Sequence, residues 1–255
     1  MKNKDKWLPS KFVYRHGNLV ASRSPKEVMV GSRLVADAIA SLYDTYIPQY
    51  ASGRLIDLGC GKVPLFQAYR KYVTDSVCLD WEHTAHANGH LDYVCDLNKR
   101  LPFSDEEFDT VILSDVLEHV AEPEQLWREM ARILRPNGKI LANVPFYYWL
   151  HEQPHDYYRY TEYALRRFAQ LANFRMLLLV PIGGAPEILA DVLAKHSQSL
   201  PLVGAGLAAA LQAATQAFIK TRLGKTWSEK TSKGFPLGYF FVAENNATSS
   251  LQLPL

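Results

Sequence analysis

The chain has 255 residues, 48% of them hydrophobic and 21% charged, the balance of a soluble globular protein. That length suits one large α/β domain or one domain with an insertion. A net charge of +2 is too small to argue for nucleic acid, and no nucleic-acid partner is expected.

Residues 1–25 mix basic and aromatic side chains without a period and read as an arm or lid. Lys2, Lys4, Lys6, Lys11 and Arg15 lie there, with a solvated face as the equal alternative. No apolar run follows the polar start, so no signal peptide is expected. Three cysteines, Cys60, Cys78 and Cys95, are an odd set on core strands and read as free thiols in a reducing compartment. From Pro25, apolar residues at threes and fours (Val28, Leu34, Val35, Ile39, Leu42, Tyr43, Tyr46) predict a helix. Ser24 would cap it, and Pro48 and Gly53 would end it.

Strand and helix patterns then alternate. Strands are predicted over 54–58, 76–80, 92–95, 108–114, 139–144, 174–180 and 237–243. Helices are predicted over 64–72, 122–134 and 161–172, with a turn at Pro136-Asn137-Gly138. Such alternation implies a doubly wound, mostly parallel seven-stranded sheet, Rossmann-like, with the last strand antiparallel at or near an edge. The α/β core would be 54–181 with 235–245. Residues 1–53 would form an arm and capping helix, 182–234 a helical insertion, and the tail from Asn245 a frayed end.

Leu55-Ile56-Asp57-Leu58-Gly59-Cys60-Gly61 is a buried strand breaking into a glycine turn, the first corner of a nucleotide-binding unit. The third glycine of the dinucleotide pattern is replaced by Pro64. That disfavours a nicotinamide dehydrogenase and suits a ligand without phosphate. Asp80, about twenty residues on, ends the next strand, where a carboxylate can take both ribose hydroxyls. Asp96 ends the third strand and could accept from an adenine amino group.

LIDLGCG, CLDWE, VCDLNKRLPFSDEEFDTVILSDVLEHV and LWREMARILRPNGKILANVPF occur in that order. Together they resemble the class I S-adenosylmethionine-dependent methyltransferases of the type-11 domain group, over residues 54 to about 180. The resemblance implies S-adenosyl-L-methionine as cofactor. Asp57, Gly59 and Gly61 would face its methionine part, and Asp80 its ribose, with Trp81 beside the adenine. Asp96 and Leu97 would fix the adenine edge, and Ser114 and His119 would lie near the sulfonium. Many members have a further glycine where Val63 stands, which would narrow this turn.

The segment PFYYWLHEQPHDYYRYT, residues 145–161, leaves the carboxyl end of the fifth strand and should face the transferred methyl group. His151-Glu152-Gln153-Pro154-His155 matches the zinc-protease spacing only formally, because Pro154 breaks the helix that spacing needs. No metal site is expected, though a metal orienting a sugar diol stays open. His151 and His155 are candidate bases, and Asp156 could orient a histidine or hold a hydroxyl. Arg159 could bind an anionic group and Tyr157 could stack on substrate. The alternative is a structural Asp156–Arg159 pair with the aromatics in the core. The segment also resembles a bacterial subset of the type-11 group linked to surface-glycan or lipid-linked sugar pathways.

Ser197–Ile219 is uncharged and rich in alanine and leucine. A buried helical hairpin is the leading reading. A lipid-surface helix backed by Lys220, Arg222 and Lys225 is the second, and a membrane span the least. The expectation is O-methylation of a glycan or lipid-linked sugar in the cytoplasm, at the inner membrane face if the insertion binds lipid. Two alternatives stand: methylation of a small aromatic or isoprenoid metabolite, and a non-catalytic scaffold that binds the cofactor.

Overall fold

A computed structural model describes residues 1–82 and 89–246. Its sheet has seven strands: β3 (Arg54–Leu58), β4 (Asp75–Asp80), β5 (Tyr93–Val94), β6 (Phe108–Ser114), β7 (Leu134–Pro145), β8 (Phe174–Ile182) and β9 (Gly238–Asn245). They lie in the order β5-β4-β3-β6-β7-β9-β8. All run parallel except β9, which is antiparallel to both neighbours and next to the edge. The expected α/β class and mostly parallel sheet are therefore what the chain adopts.

Side chains alternate along each strand, so one strand feeds two cores. Ile56, Leu58, Val111 and Leu113 pack toward α3 (Pro123–Ile133) and α4 (Glu162–Leu171). Trp127 of α3 stacks on Phe241 at 5.6 Å. Leu55, Ile112, Leu141 and Phe240 pack on the other face against α1 (Arg33–Tyr50) and α2 (Phe66–Tyr69). Tyr43 of α1 meets Phe240 edge-on at 5.1 Å.

Several local expectations are corrected. The first 25 residues include a hairpin, β1 (Phe12–Arg15) with β2 (Asn18–Ala21), whose Phe12, Leu19 and Ala21 are buried. Carboxylates of α1 hold it, Asp37 accepting from Ala21 N at 2.8 Å and Asp44 from Leu19 N at 3.1 Å. Ser24 closes only one isolated turn, its carbonyl accepting from Val28 N. The helix begins at Arg33 because its cap comes from far away: the Gln212 side chain accepts from Leu34 N at 2.9 Å. Pro48 falls inside its last turn rather than ending it. The Pro136-Asn137-Gly138 turn is a bulge within β7, where the register against β6 shifts. Asn245 ends β9, and the rest of the expected frayed tail, beyond Asn246, lies outside the described residues.

Between β8 and β9 run α5 (Ala185–Ser197), α6 (Gly204–Phe218) and α7 (Arg222–Thr231). The uncharged stretch is one helix, α6, and not a buried hairpin. Only Gly204, Ala208 and Gln212, a row four residues apart, are buried in it. Among the described residues no helix is long and apolar enough to cross a membrane.

Candidate functional site

A cavity of about 580 Å³ opens at the carboxyl ends of β3, β4 and β6, where an open α/β sheet places its ligands. Gly59, Gly61, Asp80, Trp81, Asp96, Leu97, Ser114, His119, His155 and Tyr157 all line it. These residues span nearly a hundred positions in sequence, and the fold brings them to one wall.

Gly59 has φ +66°, and a Cβ there would meet the Val116 side chain at 2.6 Å. The turn therefore needs glycine at this point for its backbone and for the close approach of Val116. Val63, where the resemblance leads one to expect glycine, keeps a left-handed φ of 53° and is fully buried. Its carbonyl accepts from the Trp7 indole at 3.0 Å. The departure is absorbed by packing, not by a change of turn.

Asp80 accepts from Gly61 N at 2.9 Å and from Trp81 N at 2.8 Å, so its carboxylate is held at the cavity wall. Asp96 forms a local turn, accepting from Asn98 N at 2.9 Å. Asp57 is elsewhere: it is buried beneath the turn and does not line the cavity, and its Oδ2 has no hydrogen-bond partner. Burial, then the Asp80 charge, pushes its pKa well above the carboxylate range.

A second cavity of about 230 Å³ adjoins the first. Lys11, Glu27, Asp115 and Glu152 line both. The second is lined by apolar residues, among them Val28, Val35, Ile39, Val144, Ile182 and Leu237, and by polar ones, among them Lys11, Asp115, Glu118, Tyr148 and His151. At the junction Lys11 donates to Asp115 Oδ2 at 2.6 Å, and Asn143 joins Asp115, Ser114 and Tyr43 in one network. Burial alone would lower the Lys11 pKa, but Asp115 outweighs it and the pKa rises.

The two candidate histidines part company. No helix forms over 151–155. His155 faces the first cavity, edge-on to Trp81 at 4.9 Å, and its Nδ1 lies 3.0 Å from the Tyr157 hydroxyl. His151 faces the second, its Nε2 3.7 Å from Glu118 Oε1 and its Nδ1 3.4 Å from Asp156 Oδ2. Burial would lower the His151 pKa, but Glu118 and Asp156 together raise it. The Glu118 pKa is raised by burial, with His151 opposing.

Arg159 and Asp156 are not placed to bind substrate. The guanidinium clasps both Asp156 oxygens, at 2.6 and 2.8 Å, and donates to the carbonyls of Trp149 and Tyr158. The pair depresses the Asp156 pKa to about 2. Its work is to fold residues 145–161 back on themselves, with Asp156 also accepting from His151 N. Tyr157 N and Tyr158 N then bond to Glu118 O, and the Tyr160 hydroxyl to Leu117 O. Tyr160 is core, and Tyr157 lies in the first cavity and not beside the second.

Sequence reasoning missed Lys11, Asp115, Glu118 and Asn143. Glu118 had a usable signal: it stands next to His119 four residues after the buried strand β6, in the loop at the strand's carboxyl end where such folds place ligands.

A family model described as a methyltransferase domain matches residues 56–142. The demethylmenaquinone methyltransferase of Renibacterium salmoninarum is 28% identical over 151 residues, 55% of this chain and 57% of that protein. The ubiquinone biosynthesis O-methyltransferase of Parvibaculum lavamentivorans is 30% identical over 94 residues, 33% of this chain and 37% of that protein. The chain thus spans little more than half the length of the first relative and about a third of the second. Among solved structures, geranyl diphosphate C-methyltransferase from Streptomyces coelicolor A3(2), in complex with Mg2+, geranyl diphosphate and S-adenosyl-L-homocysteine, superposes with a TM-score of 0.51. It is 13% identical, covering 88% of this chain and 84% of that one, a likeness of fold.

Proposed function

We propose, from the premise that the chain belongs to the class I S-adenosylmethionine-dependent methyltransferases with a type-11 domain, that it methylates a hydroxyl on a small acceptor with an apolar body. The carrying observation is the pair of joined cavities, one lined by the glycine turn and Asp80, the other half apolar and half polar.

The first cavity fits the cofactor. Gly59 keeps the turn free of a Cβ, Asp80 presents a fixed carboxylate for a ribose diol, and Trp81, Asp96 and Leu97 form the wall for a base. When bound, the cofactor supplies an electrophilic methyl: its carbon–sulfur bond breaks as the acceptor oxygen–carbon bond forms, the electron pair staying on sulfur. The chain's part is to align the acceptor, a contribution of about 7–11 kcal/mol in well-oriented reactions. The acceptor's hydroxyl proton leaves toward the corner made by Glu118 and His151, the one predicted base that borders the second cavity.

The nine apolar residues of that cavity favour an aromatic or isoprenoid acceptor over a glycan. A sugar would strand its hydroxyls against Val28, Val35 and Ile39. The names of the quinone-pathway relatives and of the geranyl diphosphate enzyme point the same way. Calorimetry should find one S-adenosylhomocysteine bound per chain, and a catechol or prenylated phenol should raise its release from S-adenosylmethionine above background. A folded protein giving no heat with S-adenosylhomocysteine would refute the reading. Binding without turnover on any such acceptor would favour the scaffold alternative.

A lipid surface would deliver such acceptors. Leu200, Leu202, Val203, Leu207, Leu223 and Trp227 are exposed on or beside α6 and α7. Between residues 220 and 233 lie Lys220, Arg222, Lys225, Lys230 and Lys233 against Glu229 alone, a charge suited to anionic head groups. Because Gln212 caps α1, point variants are a cleaner test than deletion. Leu202→Glu with Leu223→Glu should abolish flotation on phosphatidylglycerol vesicles, and equal recovery of both proteins would exclude this contact.

A further inference from the structure

Behind the turn that follows β6, polar atoms converge without hydrogen bonds. Among the described residues, both carboxylate oxygens of Glu118 and Nε2 of His119 are buried without a hydrogen-bond partner, and Nε2 of His151 faces the same carboxylate. Glu118 is 0% exposed. Its Oε1 stands 3.7 Å from His119 Nε2 and 3.7 Å from His151 Nε2, too far for a hydrogen bond. A buried carboxylate that no hydrogen bond satisfies is costly.

The tautomer of His119 sharpens the problem. Its Nδ1 lies 2.7 Å from the His155 carbonyl, which can only accept, so Nδ1 carries the proton. In the neutral ring Nε2 then offers a lone pair toward a carboxylate. Two acceptors face each other with a gap between them. A proton shared by Glu118 and His151 would answer for one side but leave His119 Nε2 unpaired.

A cation answers for all three. Nitrogen and oxygen donors sit about 2.0–2.2 Å from a bound zinc, so donors on one ion stand roughly 3–4 Å apart by the same geometry. One ligand atom from each of Glu118, His119 and His151 lies within 4.8 Å of the others. The outer supports that metal-bound histidines need are present too. His119 donates to a carbonyl, and His151 Nδ1 stands beside Asp156, itself fixed by Arg159. Glu152 Oε2, at the rim, is 4.0 Å from His119 Nε2 and can close as a fourth ligand. Lys11, the nearby cation, is paired with Asp115.

We propose that Glu118, His119 and His151 hold a divalent first-row transition-metal ion that grips the acceptor's hydroxyl oxygen. Two imidazoles with one carboxylate suit Zn2+, Fe2+, Co2+ or Mn2+ better than Mg2+ or Ca2+. Glu118 and His151 line the second cavity and His119 the first. The ion would therefore lie at their junction, where the acceptor meets the methyl group. A hydroxyl on such an ion would give up its proton more readily, here to solvent at the rim beside the exposed Glu152, because Glu118 and His151 would then be ligands and no longer the proton's acceptors. The acceptor part of this inference rests on the methyltransferase reading, and the ion itself does not.

Untagged protein stripped with chelator and dialysed against CoCl2 or ZnCl2 should retain one ion per chain, with Co2+ giving a visible d–d band. Glu118→Gln and His151→Ala should each weaken retention by at least about tenfold. His196→Ala, exposed on α5, should leave it unchanged. Wild-type protein that retains no ion overturns the proposal, whatever the variants do. So does retention unaffected by Glu118→Gln in a protein whose melting curve shows it folded. S-adenosylhomocysteine binding is measured on the same preparation. If it persists without an ion, the metal is refuted and the methyltransferase reading stands. An ion without it supports the metal and refutes that reading.

Discussion

Asp80→Ala is expected to weaken S-adenosylhomocysteine binding by about 10²–10⁴-fold while the protein stays folded. A hydrogen bond to a charged group contributes roughly 1.5–3 kcal/mol, and a ribose diol makes two with this carboxylate. The sum, about 3–6 kcal/mol, converts at 1.4 kcal/mol per tenfold. The carboxylate is pre-set, accepting from Gly61 N and Trp81 N, so little ordering is lost on binding. The alanine variant also frees the Gly61 amide and loosens the glycine turn, which adds to the loss. Asp80→Asn keeps the shape but turns one acceptor into a donor, and should fall between. Titration calorimetry decides it: unchanged affinity in the alanine variant would mean that the ribose lies elsewhere.

Lys195→Met should destabilise the fold by about 3–5 kcal/mol, the usual cost of stranding one partner of a buried pair. That is roughly 6–20 °C in Tm for a chain of this size. Lys195 Nζ lies 2.6 Å from Asp191 Oδ2, and both side chains are 3% exposed. The other Asp191 oxygen has no hydrogen-bond partner. Burial raises the Asp191 pKa and lowers that of Lys195, and in each case outweighs the attraction between them. The intact pair is therefore no net gain over apolar residues. Asp191→Leu with Lys195→Met should restore most of the loss.

The sign with pH is specific. Without Lys195 the folded-state pKa of Asp191 climbs further above its unfolded value of about 3.9. Between those two values the folded chain holds a proton that the unfolded chain does not, so stability increases as pH falls. The deficit of Lys195→Met should thus shrink from pH 7 toward pH 5. A deficit constant over that range would show that lost packing, not the stranded charge, is responsible. Lys195 also sits 3.4 Å from the centre of the Tyr148 ring, so the same variant should loosen that wall of the second cavity.

The strands and the residues that line the first cavity were legible because their signals are local. Alternation marks β3, β4 and β6, and glycines and strand-end acids mark the turns. What was not legible depends on distant partners. Gln212 caps α1 from 178 positions away, so no neighbouring residue could announce where that helix starts. His151 and His155 look like a pair four apart, but without a helix between them they face opposite cavities. For Arg159 the sequence left an anion binder and a structural pair with Asp156 both open, and the structure shows the pair. Lys11 reads as part of a solvated basic run, yet ends on Asp115 between the cavities.

The walls of the second cavity come mostly from outside the segment that matches the methyltransferase-domain model. Val28, Met29, Ser32, Val35, Ala36 and Ile39 precede the family-matched segment, and Tyr148, His151, Ile182, Leu237 and Gly238 follow it. The matched segment supplies the glycine turn and strand-end acids of the first cavity, and only Asp115 and Glu118 of the second cavity's wall come from it. A change confined to those flanking segments would reshape the second cavity and leave the glycine turn and Asp80 in place.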